Sequence, residues 1–415
     1  MKILIVGSGG REHAMAWKAA QNPQVSKIYV APGNGLTAIE SKCENINLCS
    51  NDDLLDFAQS EKIDLTIVGP EVPLMDGIVD KFHQNGLKIF GPDKKAAMLE
   101  GSKSFAKAFM KKHNVRTAEY EEFDDFSMAS EYIKQCRYPL VIKADGLAAG
   151  KGVVICENEC QASSALKDFM INDIFKGSGK KVIIEEFLQG VEASILSITD
   201  GNTIIPFISA KDHKQIFDGN KGPNTGGMGA LAPNPYCNES VMEDFRQNIL
   251  EPTLEGLKAE KLDFCGIIFF GLIITTKGVY LLEYNIRLGD PETQAVLPLM
   301  ESDFIDLINC AMNKNLSDYK IKWKDKTSVC VVAASKGYPG SFEKGFEVTG
   351  ITENITVFGA GIKLDKGKLL TNGGRVLCTQ AFGDNAESAG QNAYRALKQI
   401  NFSNIYYRND IGKIK

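Results

Sequence analysis

Short apolar runs that stop at a glycine recur through the first hundred residues, each followed by a stretch with helical spacing. Ile3 to Val6 closes on Gly7-Ser8-Gly9-Gly10, and Arg11 to Gln21 follows as a helix. Lys27 to Val30 ends in Ala31-Pro32-Gly33-Asn34, ahead of a helix over Asp52 to Glu61. Leu65 to Val68 ends in Gly69-Pro70-Glu71, ahead of a helix over Asp76 to Asn85, and Ile89 to Phe90 runs into Gly91-Pro92. Strand, glycine turn and helix in repetition predict a parallel sheet with crossover helices. Ligands of such sheets sit at the carboxyl ends of the strands.

The pattern changes after residue 100. Gly101 to His113 has helical spacing, with Lys103, Lys107, Lys111 and Lys112 reading as a solvated face. Leu140 to Ile142 and Val153 to Ile155 are β-branched runs around a loop of small residues, which predicts a hairpin with a long tip. Val182 to Ile184 is a strand that crosses through Glu185-Glu186-Phe187-Leu188 into a second strand, Ile195 to Ile198. Gly266 to Ile274 and Val279 to Leu282 are two buried strands joined by a tight turn. A helix over Asp303 to Cys310 and a polar linker place a boundary near residue 320. Strands over Ser328 to Ala334 and Gly374 to Thr379 follow, then a helix over Ala386 to Gln399.

Composition narrows the function without naming it. With 44% hydrophobic and 24% charged residues, the 415-residue chain has the balance of a soluble protein of several domains. A net charge of −5 offers no general attraction for nucleic acid or acidic lipid. No apolar run approaches the length of a membrane span, and the first apolar run is too short for a signal-peptide core. A cytoplasmic location is expected. Ten cysteines lack any C-x-x-C spacing and read as reduced thiols, and four scattered histidines do not suggest a zinc site.

Three stretches carry candidate chemistry. The hairpin loop Ala144 to Gly152 has three glycines, with Lys143 before it and Lys151 inside it. Backbone N–H groups and two cations suit polyphosphate, although a loop of this kind can also be a solvated tip. Gly222-Pro223-Asn224-Thr225-Gly226-Gly227-Met228-Gly229 predicts a second flexible loop, suited to a ligand or a lid. Nearby His213 reads as structural rather than as a base. Glu283 and Asn285 stand two apart on a strand and face one side, with Arg287 continuing the alternation. A carboxylate and an amide oxygen are hard ligands that fit Mg2+ on phosphates. The first turn, by contrast, lacks the third glycine of a dinucleotide fingerprint, because Glu12 stands there. What remains is a tight turn onto a helix N-terminus beside Arg11, suited to a phosphate or serving packing alone.

In order along the chain, the lysine-led hairpin, the EEFL crossing and the E-x-N-x-R strand resemble the ATP-grasp ligases. GSGGREHA, VIKADGLAAGKGV, DHK, GPNTGGMGA and RLGDPETQ are similar, in the same order, to the glycinamide ribonucleotide synthetase family within them. The resemblance spans essentially the full chain. It implies an α/β protein: a Rossmann-like parallel-sheet domain over 1–100, a two-lobed ATP-grasp (α+β) domain over 101–320 with a small lobe near 117–187, and a small β-rich domain over 321–415. It implies ligation of glycine to 5-phosphoribosylamine using ATP, with Mg2+ or Mn2+, in a monomer that binds neither nucleic acid nor membrane. Lys103 and Lys143 are then expected on the ATP phosphates, with Asp145, Gly146, Gly150, Lys151 and Gly152 folding over them. The main chain of Glu185, Glu186, Phe187 and Leu188 is expected to read adenine, and Glu192 the ribose. Glu283 and Asn285 are expected to hold the metal, and Arg287 to meet the transferred phosphate. Asp212, Lys214, Asn224, Thr225, Gly226, Gly227, Asp290 and Glu292 are expected around glycine, with Asp212, Lys214 and Asp290 joining Arg287 as catalytic groups. Phosphoribosylamine is expected on Gly7, Gly9, Gly10, Arg11, Gly33, Asn34, Pro70 and Glu71. One departure stands out: Gly271 falls where many ATP-grasp enzymes carry a further metal-binding carboxylate. The alternatives are another ATP-grasp ligase or carboxylase, and a non-catalytic nucleotide-binding protein.

Overall fold

The structure is a computed structural model that describes residues 1–147, 152–262 and 264–413. Its first sheet is parallel and five-stranded, in the order Cys43–Asn45, Lys27–Pro32, Lys2–Gly7, Leu65–Val68, Ile89–Phe90. The fully apolar run Ile3 to Val6 sits at its centre because a central parallel strand is covered on both faces. The helix expected over Asp76 to Asn85 is found as Ile78–Gln84, and a further short helix, Glu71–Met75, precedes it, with Gly77 between them in a left-handed conformation.

The chain then builds two antiparallel sheets facing a cleft. The small lobe pairs Tyr120–Phe123, Val182–Glu186, Leu140–Ala144 and Val153–Cys156 in that order. Helices Phe126–Ile133 and Glu159–Leu166, which the sequence pattern did not indicate, cover one of its faces and share its core. The larger sheet runs Ile204–Pro206, Val191–Thr199, Gly266–Thr275, Gly278–Asn285. A third sheet carries Thr327–Ser335, Arg375–Gly383 and Thr356–Gly359, and it also takes in Lys211–Asp212 and Gly229–Ala232 from the middle of the chain.

The lysine-rich helix departs from expectation. Ser102 is extended and breaks it, so one helix ends at Gly101 and another, Lys103–Lys112, begins. Its face is not uniformly solvated: Lys107 is 2% exposed, lying beside the apolar seam of Ala106, Phe109 and Met110. Among the described residues, no helix is long and apolar enough to cross a membrane.

Candidate functional site

A cavity of about 460 Å3 lies between the two lobes, and its lining collects residues far apart in sequence. Lys103, Lys143, Gly152, Glu185 and Glu192 contribute to one part of it. Asp212, Lys214, Thr225, Gly226, Glu283, Asn285, Arg287, Asp290 and Glu292 complete it, with Pro70, Glu71 and Arg11 at the edge. Gly150 and Lys151 lie outside the described residues.

The strand Gly278–Asn285 sets the polar wall. Tyr284 and Ile286 are buried in the core, Tyr284 against Phe270 and Phe109, while Glu283, Asn285 and Arg287 line the cavity, as alternation requires. A bulge interrupts the pairing: Gly271 stands opposite Glu283 and Leu272 opposite Leu281. Lys143 Nζ donates to the carbonyl of the bulged Leu282 at 3.3 Å. A Cβ at Gly271 would lie 3.1 Å from Glu283 Cγ, a tight contact that would press on the Glu283 side chain.

Electrostatics divide the carboxyl groups. Burial opposes the charge on Glu283, but Lys214, Lys103, Lys143 and Arg287 outweigh it and hold its carboxyl below the ordinary range. Burial pushes the Asp212 carboxyl up to about 7, and Lys214 only partly offsets it. Glu292 is likewise raised by burial, and Ser194 donates to its Oε1 at 3.2 Å. Lys214 pairs with Glu192 at 2.6 Å. Asp290 resists burial and stays low because Arg375 and Arg11 stand beside it.

Arg287 is held first by Glu100, which the sequence reading did not single out. Glu100 accepts from Arg287 Nη2 at 2.8 Å and from the Ile286 amide at 2.8 Å, which fixes the start of the turn after the strand. Arg287 also donates to Asn285 Oδ1 at 3.1 Å, and Glu71 approaches its Nε at 3.5 Å. Arg375, from the third sheet, donates to the carbonyls of Gly226 at 2.6 Å and Asp290 at 2.7 Å and pairs with the Asp290 carboxylate at 3.3 Å. A glycine pair directly ahead of Arg375 was the available sequence signal.

Several expectations need correction. The loop around Gly226 is pinned rather than flexible. Thr225 donates from both N–H and hydroxyl to the Lys214 carbonyl, Met228 N donates to His213 O, and Gly226 N donates to the Tyr338 hydroxyl. Gly227, at φ +112°, must be glycine both for that conformation and because Pro291 occupies the space a side chain would need. Asn224 is on the exposed strand Lys221–Asn224, outside the cavity lining. Asp145 does not reach over the cleft. It accepts from Ser104 N at 2.7 Å and Ser102 Oγ at 2.9 Å, tying the hairpin to the start of the lysine helix. Gly146 donates to Ser178 O and packs on Ser178. Glu185 lies inside the small-lobe sheet between Tyr120 and Val141, and the Glu186 amide is taken by Glu119 O. Phe187 and Leu188 follow the end of the strand and are not among the residues that line the cavity. His213 is structural, as expected: it is buried, and its pKa is lowered to about 4, by burial first.

At the N-terminal sheet a second cavity, of about 320 Å3, is lined by Gly7, Gly9, Arg11, Glu12, Pro32 and Pro70, among others. It shares Arg11, Pro70 and Asp290 with the first cavity. Gly9 is the N-cap residue of the helix that begins at Gly10, and Glu12 Oε2 accepts from the Gly9 amide at 2.5 Å. Arg11 is 7% exposed and donates to Glu12 and to the Leu288 carbonyl at 3.0 Å. Gly10 packs on Gln294, which donates to Asp290 at 2.8 Å. Gly33 and Asn34 are not brought to this cavity, because Gly33 packs on Asn45 and the Asn34 amide donates to Ser8 O and Gly359 O.

Two lobes closing on a cation-lined cleft, beside a parallel-sheet domain, define an ATP-grasp protein. Three sequence models match it: the N domain of phosphoribosylglycinamide synthetase over residues 1–100, its ATP-grasp (A) domain over 101–293, and its C domain over 328–414. The phosphoribosylamine–glycine ligase of Clostridium acetobutylicum is 64% identical, with both chains covered fully. That of Fusobacterium nucleatum is 56% identical over 100% of this chain and 99% of its own. Among solved structures, phosphoribosylamine–glycine ligase from Thermotoga maritima superposes with a TM-score of 0.88 at 33% identity, over 99% of this chain and 100% of that one. The chain belongs to the phosphoribosylglycinamide synthetase family.

Proposed function

We propose that the chain joins glycine to 5-phosphoribosylamine using ATP, through glycyl phosphate, in purine biosynthesis. Family membership supports the overall reaction. The single structural observation that carries the reading is the pair of cavities meeting at Asp290, one rich in cations and the other at the carboxyl ends of a parallel sheet.

Glycine's carboxylate is a poor acyl donor because an oxide ion would have to leave. Its oxygen attacks the γ-phosphorus of ATP and ADP departs, giving an acyl phosphate whose leaving group is phosphate. The amine nitrogen of phosphoribosylamine then forms the C–N bond, the C–O bond to phosphate breaks, and the nitrogen gives up a proton. Phosphoryl transfer needs alignment and charge neutralisation more than a dedicated base. Lys103, Lys143 and Arg287 supply the protein's positive charge, and Lys214 and Thr225 to Gly227 orient glycine near Glu292 and Asp212. Asp290, which lines both cavities, stands where amine and acyl phosphate meet. Arg11 and the turn at Gly7 and Gly9 face the phosphoribosyl side. The small lobe closes over the acyl phosphate and keeps water from it.

A divalent cation, Mg2+ or Mn2+, fits the donor set: the ionised Glu283 carboxylate and the amide oxygen of Asn285 share one face of the cleft. When bound, it neutralises phosphate charge in the transferred group.

The test is ADP release with ATP, Mg2+, glycine and freshly made phosphoribosylamine. Turnover requiring both glycine and the amine is expected. Turnover with bicarbonate in place of glycine points to the carboxylase alternative, and nucleotide binding without turnover points to the non-catalytic one.

A further inference from the structure

Lys107 is a buried cation in the nucleotide cleft for which the reaction above has no use. It lines the cavity, yet its side chain is only 3% exposed. Its Nζ donates to Thr117 Oγ1 at 2.7 Å, stands 3.1 Å from Glu185 Oε1, and lies over the Tyr120 ring at 5.3 Å. Glu185 Oε2 is 2.9 Å from Lys143 Nζ. One carboxylate with a side chain 2% exposed is thus clamped between two ammonium groups.

The arrangement matters because Lys143 has two possible anions. To reach the phosphates it must turn from Glu185, and leaving one member of a buried ion pair alone is costly. Here Glu185 retains a partner when Lys143 turns away. The three groups carry a net positive charge facing the cleft while the lysines are protonated, whereas Lys143 and Glu185 alone would cancel. Burial lowers the Lys107 pKa to about 8, so it remains mostly charged at neutral pH.

We propose that Lys107 is a positioning residue for polyphosphate binding, which frees Lys143 for the ATP phosphates by remaining paired with Glu185. The inference rests on the reading that ATP occupies this cleft. Thr117 bridges to Leu281 where the small lobe joins the body, so the pairing sits at the lobe's base and need not be broken when the lobe turns.

The test compares ATP with adenosine, which keeps the base and sugar but lacks the phosphates. Binding of Mg·ATP to the full chain is measured by calorimetry, and adenosine by competition. Lys107→Met should weaken Mg·ATP by about tenfold or more while changing adenosine by less than about threefold. Lys107→Arg, which keeps the charge, should recover most of the loss. Equal losses for both ligands, or unaltered ATP affinity, overturn the proposal. A double-mutant cycle keeps the test open if the single variant folds poorly. In a Glu185→Gln background, Lys107→Met should add no phosphate-specific loss, and a further tenfold loss there also overturns it. Failure of the unmodified protein to bind ATP would instead defeat the reading of the cleft.

Discussion

The small lobe and the body of this molecule are held together by different physics. The lobe has a core of its own, built from residues such as Ile142, Cys156, Phe169 and Val182, all between 129 and 184. The body has no such independence. One of its clusters takes Ile3 and Met15 from the N-terminal domain, Leu196 and Phe269 from the large sheet, and Cys330 and Phe358 from the C-terminal domain. Between lobe and body the connections named above are polar: Asp145 to the lysine helix, Lys143 to Leu282, and Lys107 to Thr117. Polar contacts can be exchanged for others at small net cost, whereas separating an apolar core exposes it. A lobe attached in this way can turn on its base, while the three domains of the body keep the two cavities in fixed register.

The largest effect expected from this difference is in local stability. Phe169→Ala and Phe304→Ala each remove a buried phenyl group and should cost about 3–5 kcal/mol. Hydrogen exchange should separate them. Phe169→Ala should speed exchange in Leu140–Ala144 and Val182–Glu186 and leave Gly266–Thr275 protected. Phe304→Ala should loosen strands of several domains together. Equal loosening of the body by Phe169→Ala would break the comparison.

The next effects are catalytic and belong to the body's wall. Glu283→Gln should lower kcat by about a hundredfold or more at millimolar Mg2+ if the proposed metal-holding role of its ionised carboxylate is correct. Near wild-type turnover would remove Glu283 from that role. Arg375→Met should act at the glycine end, raising the KM for glycine by about ten- to hundredfold through loss of charge-assisted hydrogen bonds to Gly226 and Asp290. The KM for ATP should stay within about threefold under the same loss. Parallel rises in both would mean that Arg375 supports the fold generally.

What was legible in the sequence follows the same division. Strands whose apolar runs are short and glycine-bounded announced themselves: Leu65–Val68, Gly266–Thr275 and the alternation at Glu283, Asn285 and Arg287. Motif order carried the family. Residues whose roles depend on distant partners were not legible. Lys107 lies on a helix that looks solvated until Glu185, 78 positions further on, folds against it. Asn34 reads as a turn residue at a strand end until Gly359 accepts from it. The flexibility expected of the Gly226 loop failed for a similar reason, since glycine-rich composition says nothing of Tyr338 and Arg375 holding it from another domain.

The smallest expected net effect comes from acid, because two neighbours in the body oppose each other. No histidine lies between residues 117 and 187, so histidine titration spares the lobe. His213, whose pKa falls from 6.5 to about 4, binds a proton less readily folded than unfolded. Its contribution is therefore lost as pH falls below 6.5, by about 2 kcal/mol at pH 5. Asp212, raised from 3.8 to about 7, binds a proton more readily folded than unfolded, so stability is gained as pH falls through 7. Between pH 7 and 5 the two slopes have opposite sign, and the wild-type midpoint in denaturant should change little from this pair. Single variants uncover each arm. His213→Gln should leave a protein that gains stability on acidification, and Asp212→Asn one that loses it. If both variants follow the wild-type profile, neither group is held away from its ordinary pKa, and the junction of Asp212 and His213 is wetter than its packing indicates.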